Sequence, residues 1–160
     1  MKFLFSFIIS FIFIVQNTDI ETVRNTYPTA GQTIENASKF EKLTDGLSST
    51  TSNNLGYKAA AQIIKAKFAK GASKISTVKS GIKSLENVIK TNPNDLELRV
   101  IRLSIQENLP AIVGYKSNIK EDKNYITTKY PTSSGNLKIF VLDFITNSKS
   151  FSTEEKKSFK

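Results

Sequence analysis

Leu96-Glu97-Leu98-Arg99-Val100-Ile101-Arg102-Leu103-Ser104-Ile105-Gln106-Glu107-Asn108 is the stretch whose reading decides the fold. At about 100° per residue, Arg99, Arg102 and Gln106 fall within a stripe roughly 60° wide, with apolar residues on both of its sides. Leu98, Ile101 and Ile105 form one flank; Leu96, Val100 and Leu103 form the other. A helix with two apolar flanks packs between two neighbours, as the middle element of a helical stack does. The expected fold class is therefore all-α.

Working outward, Thr91-Asn92-Pro93-Asn94-Asp95 ends one helix and caps the next. Upstream, a helix opening near Ser73 places Ile75, Val78, Ile82, Leu85, Val88 and Ile89 on one face. Gly71 separates it from a helix over Leu55 to Ala69, and the Ser48 to Asn54 run, rich in side chains that compete for backbone hydrogen bonds, reads as a loop. Helical spacing from Asp19 to Leu47 reads as one helix kinked near Pro28. Downstream, Ser117 is the expected cap of a helix over Asn118 to Lys129, with Tyr115, Ile119, Ile126 and Tyr130 inward. Leu137 to Ile145 is apolar enough for a strand or a helix; helix is the choice, because a lone strand leaves its backbone unpaired. Ser152-Thr153-Glu154-Glu155 is a capping box that opens a short terminal helix within 151–160, expected to fray.

At the start of the chain, Lys2 precedes an apolar run from Phe3 to Val15 that turns polar at Gln16. This is the order of a secretory signal peptide. Thirteen residues rise about 20 Å in a helix, short of the roughly 30 Å hydrocarbon core, which favours cleavage over a stable span. No small-x-small triplet precedes the polar switch, so the cut falls between Val15 and Ile20 and an uncleaved amino-terminal anchor is the alternative. The expected organisation is a signal peptide over 1–18 and one helical domain over 19–160, with five to seven helices.

Gly81-Ile-Lys-Ser-Leu85-Glu-Asn-Val88-Ile-Lys-Thr-Asn92-Pro93 resembles the second helix of a tetratricopeptide repeat. That family places a small residue, a large apolar one, a small apolar one and a helix-ending proline at these spacings, here Gly81, Leu85, Val88 and Pro93. The match covers about half a repeat; no paired aromatic and glycine sit at the expected distance upstream, and the helix after Pro93 is out of the usual phase. The resemblance implies antiparallel helical hairpins stacked in a tetratricopeptide-like manner. More loosely, Asn94 to Tyr125 is similar to small exported proteins of Bacteroidetes, which implies an exported address.

The formal charge is +9, or +8 without Lys2, and most of the excess lies in one region. Lys58, Lys65, Lys67, Lys70, Lys74, Lys79, Lys83 and Lys90 are opposed there by Glu86 alone. Such a run can meet an anionic envelope surface by releasing counterions, and Lys65, Lys67, Lys70, Lys74, Lys79 and Lys83 form the candidate patch. It holds no arginine, and no aromatic is interleaved among Lys79, Lys83 and Lys90 to stack bases, so nucleic acid is not the expected partner.

Histidine and cysteine are both absent, which removes disulfides, thiol nucleophiles, the commonest general base and the usual zinc ligands. No catalytic residue, cofactor or metal is expected. The candidate site is the polar stripe of Arg99, Arg102, Gln106 and Tyr115, together with Asp122, which lies at helical spacing between Ile119 and Ile126. An inward carboxylate needs a partner, so Asp122 is expected to meet Arg99 or Arg102. The group is either a groove for an anionic ligand or peptide carboxylate, or an internal clamp that sets helix register. The functional expectation is an exported, non-enzymatic scaffold or binding module for a protein or peptide of the cell envelope. The alternatives are the basic surface module, and an enzyme that works with Arg, Lys, Tyr and carboxylates.

Overall fold

The computed structural model describes residues 18–71 and 73–159, and every regular element among them is helical. Eight α-helices occur there: α1 (Ile20–Thr26), α2 (Ile34–Asp45), α3 (Ser52–Ala66), α4 (Ser73–Thr91), α5 (Leu96–Asn108), α6 (Ile119–Lys129), α7 (Gly135–Asn147) and α8 (Thr153–Lys157). The signal-peptide reading falls on residues outside those described.

The count exceeds the expected five to seven because the single kinked helix over Asp19 to Leu47 is two helices. After α1, Tyr27–Thr29 forms a 3₁₀ turn with Pro28 in its first positions, and Thr33 then caps α2 by accepting from the Asn36 N–H at 3.1 Å. A proline tolerated at the start of a turn, followed closely by a strong cap, restarts the helix in a new direction rather than bending it. Two further expectations are corrected. Ser117 is not the cap of α6; Asn118 holds that position without a side-chain cap, and its amide donates instead to Glu121 at 3.1 Å. Ile75 does not share the inner face of α4: it is 64% exposed, because Val78, Gly81, Leu85 and Ile89 centre that face some 80° away from it.

Helix α3 likewise starts inside the run read as a loop, at Ser52 rather than Leu55, because Thr51 caps it by accepting from the Asn54 N–H at 3.3 Å. It ends at Ala66 rather than Ala69. Elsewhere local chemistry sets the boundaries as expected. Asp95 caps α5 through the N–H groups of Glu97 (3.0 Å) and Leu98 (3.1 Å), and Ser152 with Glu155 forms the capping box of α8. The 137–145 segment is helical within α7.

Packing is organised around α3 and α5. Helix α3 packs against α2, α4 and α5, and α5 packs against α3, α6 and α7. The close approach of α4 to α3 depends on Gly81, where a Cβ would lie 2.5 Å from Cγ1 of Ile63 and 3.2 Å from the carbonyl oxygen of Ala59. Alanines at 59, 60, 61 and 66 keep the rest of α3 narrow and buried. Tyr27, Phe40, Tyr57 and Phe140 form an aromatic cluster, with ring centroids 5.5 to 6.4 Å apart, that joins the turn after α1 to α2, α3 and α7. At the other end Phe159 packs edge-on against Tyr130 and Phe151, so the segment after α8 is held against the body.

Candidate functional site

Ten of the thirteen residues of α5 are buried, four of them polar or charged: Glu97, Arg99, Arg102 and Gln106. Charges taken out of water persist only when they are paired and hydrogen-bonded. Where each finds its partner defines the site.

The arginine stripe faces α6. Asp122, fully buried, accepts from Arg102 Nε at 2.7 Å and Nη2 at 2.6 Å, and from Arg99 Nη1 at 3.0 Å. The expected contact of Asp122 is thus made with both guanidinium groups. Arg99 also donates to Glu121 (2.6 Å) and twice to the carbonyl of Pro93 (3.2 and 2.9 Å), and its Cζ lies over the Tyr125 ring, 5.2 Å from the centroid. Arg102 reaches Glu86 of α4 at 3.1 Å, and Tyr115 donates its hydroxyl to the same carboxylate. Burial, and then that hydrogen bond to an anion, hold the Tyr115 hydroxyl far above the ordinary tyrosine range. Donation from Asn118 and then from Arg99 lowers the pKa of Glu121 below the usual carboxylate value.

Arg99, Arg102, Asp122 and Tyr115 therefore belong to one network, which Glu86 and Glu121 complete. Those two acids are not apparent in the helical periodicity. Glu86 reads as a lone acid among lysines, and Glu121 beside Asp122 reads as pointing away. The arginine side chain is long enough for carboxylates from adjacent positions to converge on it. Gln106 stands apart: its amide nitrogen and oxygen are both buried without a hydrogen-bond partner. The space a ligand carboxylate would take between the two arginines is filled by Asp122, so the group is an internal clamp between α4, α5 and α6.

A second clamp lies on the opposite side of α5. Glu97, fully buried, receives Arg24 in a fork, Nε and Nη2 each 2.6 Å from an oxygen, together with the Tyr57 hydroxyl at 2.7 Å and the Asn53 amide. Glu21 pairs with the remaining face of Arg24. Burial and the adjacent Glu97 charge push the Tyr57 hydroxyl well above its ordinary value, and burial does the same for Tyr27. The one signal available in the sequence was angular: Glu97 lies about 180° from the arginine stripe, between the inner edges of the two apolar flanks.

The candidate lysines divide. Lys65 pairs with Glu41 of α2, Lys67 donates to the carbonyl of Gly31 at 2.6 Å, and Lys74 to that of Lys67 at 2.8 Å. Lys70, Lys79, Lys83 and Lys90 are exposed and make no ion pair among the described residues, while Glu86, the acid of that run, is turned inward to Arg102. Two open depressions mark the surface. One of about 320 Å³ lies between α2, α3 and the start of α4, with Ala61, Ala66 and Ala69 along it and Lys58, Lys65 and Glu41 around it. The other, about 570 Å³, lies where α1, α3 and α5 begin, with Arg24, Asn53 and Asp95 at its wall. Among the described residues no helix is long and apolar enough to cross a membrane, and no group of three acidic side chains is placed to hold a metal ion.

Set against family models, curated proteins and solved structures, the chain matches none.

Proposed function

We propose that this protein is an exported, non-enzymatic helical scaffold that binds a protein or peptide segment of the cell envelope, built from tetratricopeptide-like hairpins. The observation that carries the reading is the pairing pattern: α3 packs with α4, α5 packs with α6, and α3 lies against α5. Sequential pairs whose first helices touch form a stack, and a stack presents grooves to extended or helical segments. Gly81, the small position of the half-repeat, lets α4 seat against Ala59 and Ile63 of α3 as a hairpin requires. The alanine-lined depression between α2, α3 and α4 is the groove the proposal assigns to a partner.

The test is recovery of a defined envelope protein by the tagged chain at high salt. Thr77→Trp, at the groove edge, should abolish that recovery while the helical circular-dichroism spectrum stays unchanged. Recovery by the parent and the groove variant alike would remove the groove from the proposal, and no recovery from an envelope fraction would remove the scaffold reading.

A second reading, association with an anionic envelope surface through the Lys58 to Lys90 run, is favoured by one observation. The run's single acid is spent on Arg102 and Tyr115, leaving Lys70, Lys79, Lys83 and Lys90 uncompensated.

A further inference from the structure

Helix α4 buries Val78, Gly81, Leu85 and Ile89 and turns its opposite side to solvent. On that side Lys79, Lys83 and Lys90 fall within about 40° of one another, in a row parallel to the helix axis. All three are exposed, and none makes an ion pair among the described residues. Ser76, Ser80 and Asn87 border the row on one edge with neutral groups, and Glu86, on the other edge, has its carboxylate drawn away to Arg102 at 3.1 Å. At the amino-terminal end of α4, about 40° from Lys79 on the flank between the row and the buried face, stands Ile75, an aliphatic side chain that is 64% exposed.

We infer that this row is the contact line with an anionic lipid bilayer, with Lys79, Lys83 and Lys90 over the headgroups and Ile75 entering the interfacial layer. The inference rests on the second reading above and narrows it from a lysine-rich region to one helix face. Charge complementarity names the occupant's sign, and the form of the row narrows its kind. From Ile75 to Lys90 these residues extend about 22 Å along one flank of the helix, which suits a flat surface rather than a groove. Its cations are ammonium points rather than guanidinium forks, and no aromatic is interleaved to stack a base. The exposed isoleucine has no use for a soluble polyanion, whereas a helix with lysines on one side and an aliphatic residue beside them is suited to the lipid interface.

Each lysine near an anionic leaflet contributes about a fivefold gain in partitioning, so the three together account for roughly a hundredfold. The contribution fades as the screening length shrinks from about 14 Å near 50 mM salt to about 3 Å at 1 M.

The experiment is cosedimentation of the full chain, as the cell produces it, with phosphatidylglycerol–phosphatidylcholine vesicles and with pure phosphatidylcholine vesicles. The neutral vesicles report any binding by the apolar amino-terminal run. The triple variant Lys79→Gln, Lys83→Gln, Lys90→Gln should lose about a hundredfold of the anionic-over-neutral preference, the matching Lys→Arg triple should retain it, and Ile75→Ser should weaken it severalfold at unchanged charge. All three variants should keep the parent's circular-dichroism spectrum, since the positions are exposed. If the parent prefers anionic vesicles and the Gln triple prefers them equally, this inference falls and the broader surface reading stands. If the parent shows no preference at low salt, both fall. Equal affinity for soluble heparin, with Ile75→Ser without effect on vesicles, would make the row a polyanion site and overturn the bilayer assignment.

Discussion

The two sides of α5 solve one problem with opposite signs. Toward α6 the helix supplies the cations, Arg99 and Arg102, and its neighbour supplies the fully buried anion, Asp122. Toward α1 and α3 it supplies the fully buried anion, Glu97, and its neighbours supply Arg24 and the neutral donors Tyr57 and Asn53. The first clamp is made of charges: two guanidinium groups meet three carboxylates, and the outer two, Glu121 and Glu86, remain partly exposed. The second is one ion pair finished with neutral hydrogen bonds inside an aromatic cluster. Apolar packing alone lets neighbouring helices slide or rotate at modest cost, whereas a forked ion pair has one good geometry. With a clamp on each side, α5 is held in register with both halves of the molecule.

The difference predicts unequal damage. Asp122→Ala leaves two guanidinium groups facing each other at 10% and 4% side-chain exposure, and it should cost about 3–5 kcal/mol in urea unfolding. Glu97→Gln leaves one cation rather than two, Arg24, which keeps Glu21, while the new amide oxygen can still accept from Tyr57. Its expected cost is about 2–3 kcal/mol, below the roughly 3–5 kcal/mol of a fully broken buried pair because the amide keeps part of the hydrogen bonding. Equal costs would mean that the neutral donors matter as much as the second guanidinium.

Extremes of pH should separate the clamps in kind. The Tyr57 and Tyr27 hydroxyls have folded-state values raised by burial, so their contribution to stability is complete below the unfolded tyrosine pKa of about 10 and is lost as pH rises beyond it. Tyr115, raised by burial and by Glu86, adds to the same alkaline loss from the other clamp. Glu121 has its value lowered by Asn118 and Arg99, so its contribution is present above the unfolded carboxylate pKa of about 4.3 and is lost as pH falls through the lower folded value. The tyrosinate absorbance of Tyr27, Tyr57 and Tyr115, identified by difference against the single Phe variants, should appear together with loss of helix above about pH 10, not before it. Tyr57→Phe should move the alkaline midpoint and leave the acid one in place. A tyrosinate signal from the intact fold that Tyr27→Phe, Tyr57→Phe or Tyr115→Phe removes would contradict the burial of these hydroxyls.

How much of this was legible depends on whether a feature is periodic. The limits of α5, its two apolar flanks and the partnership of Asp122 with the arginines all follow from angles along single helices, and angle is what a sequence carries. Glu97 was carried in the same way, opposite the arginines, but a first-turn glutamate has an ordinary surface explanation and its partner, Arg24, is 73 positions away. The break at Pro28 was misjudged because the apolar spacing continues through it; the decision lies with the Thr33 cap. Ile75 has the apolar character and approximate spacing of the inner face, but its angle, about 80° from the centre set by Val78, Gly81, Leu85 and Ile89, leaves it outside the face that α4 buries. The division of the lysines into engaged and free depends on contacts such as Lys65 with Glu41, which no local pattern encodes.

Gln106 gives the smallest and most discriminating test of the comparison. It continues the arginine stripe one turn further along α5, yet it joins neither clamp: both polar atoms of its amide are buried without a partner. A buried amide in that condition loses its hydration and gains no bond in return, a cost of about 1–3 kcal/mol. Methionine has a similar length and flexibility and no such debt, so Gln106→Met should raise stability by about 1 kcal/mol and leave the effects of Asp122→Ala unchanged when the two are combined. Destabilisation by the methionine, or strong coupling between the two substitutions, would instead make the glutamine a working member of the arginine clamp. The polar stripe would then act as a unit along its whole length rather than ending at Arg102.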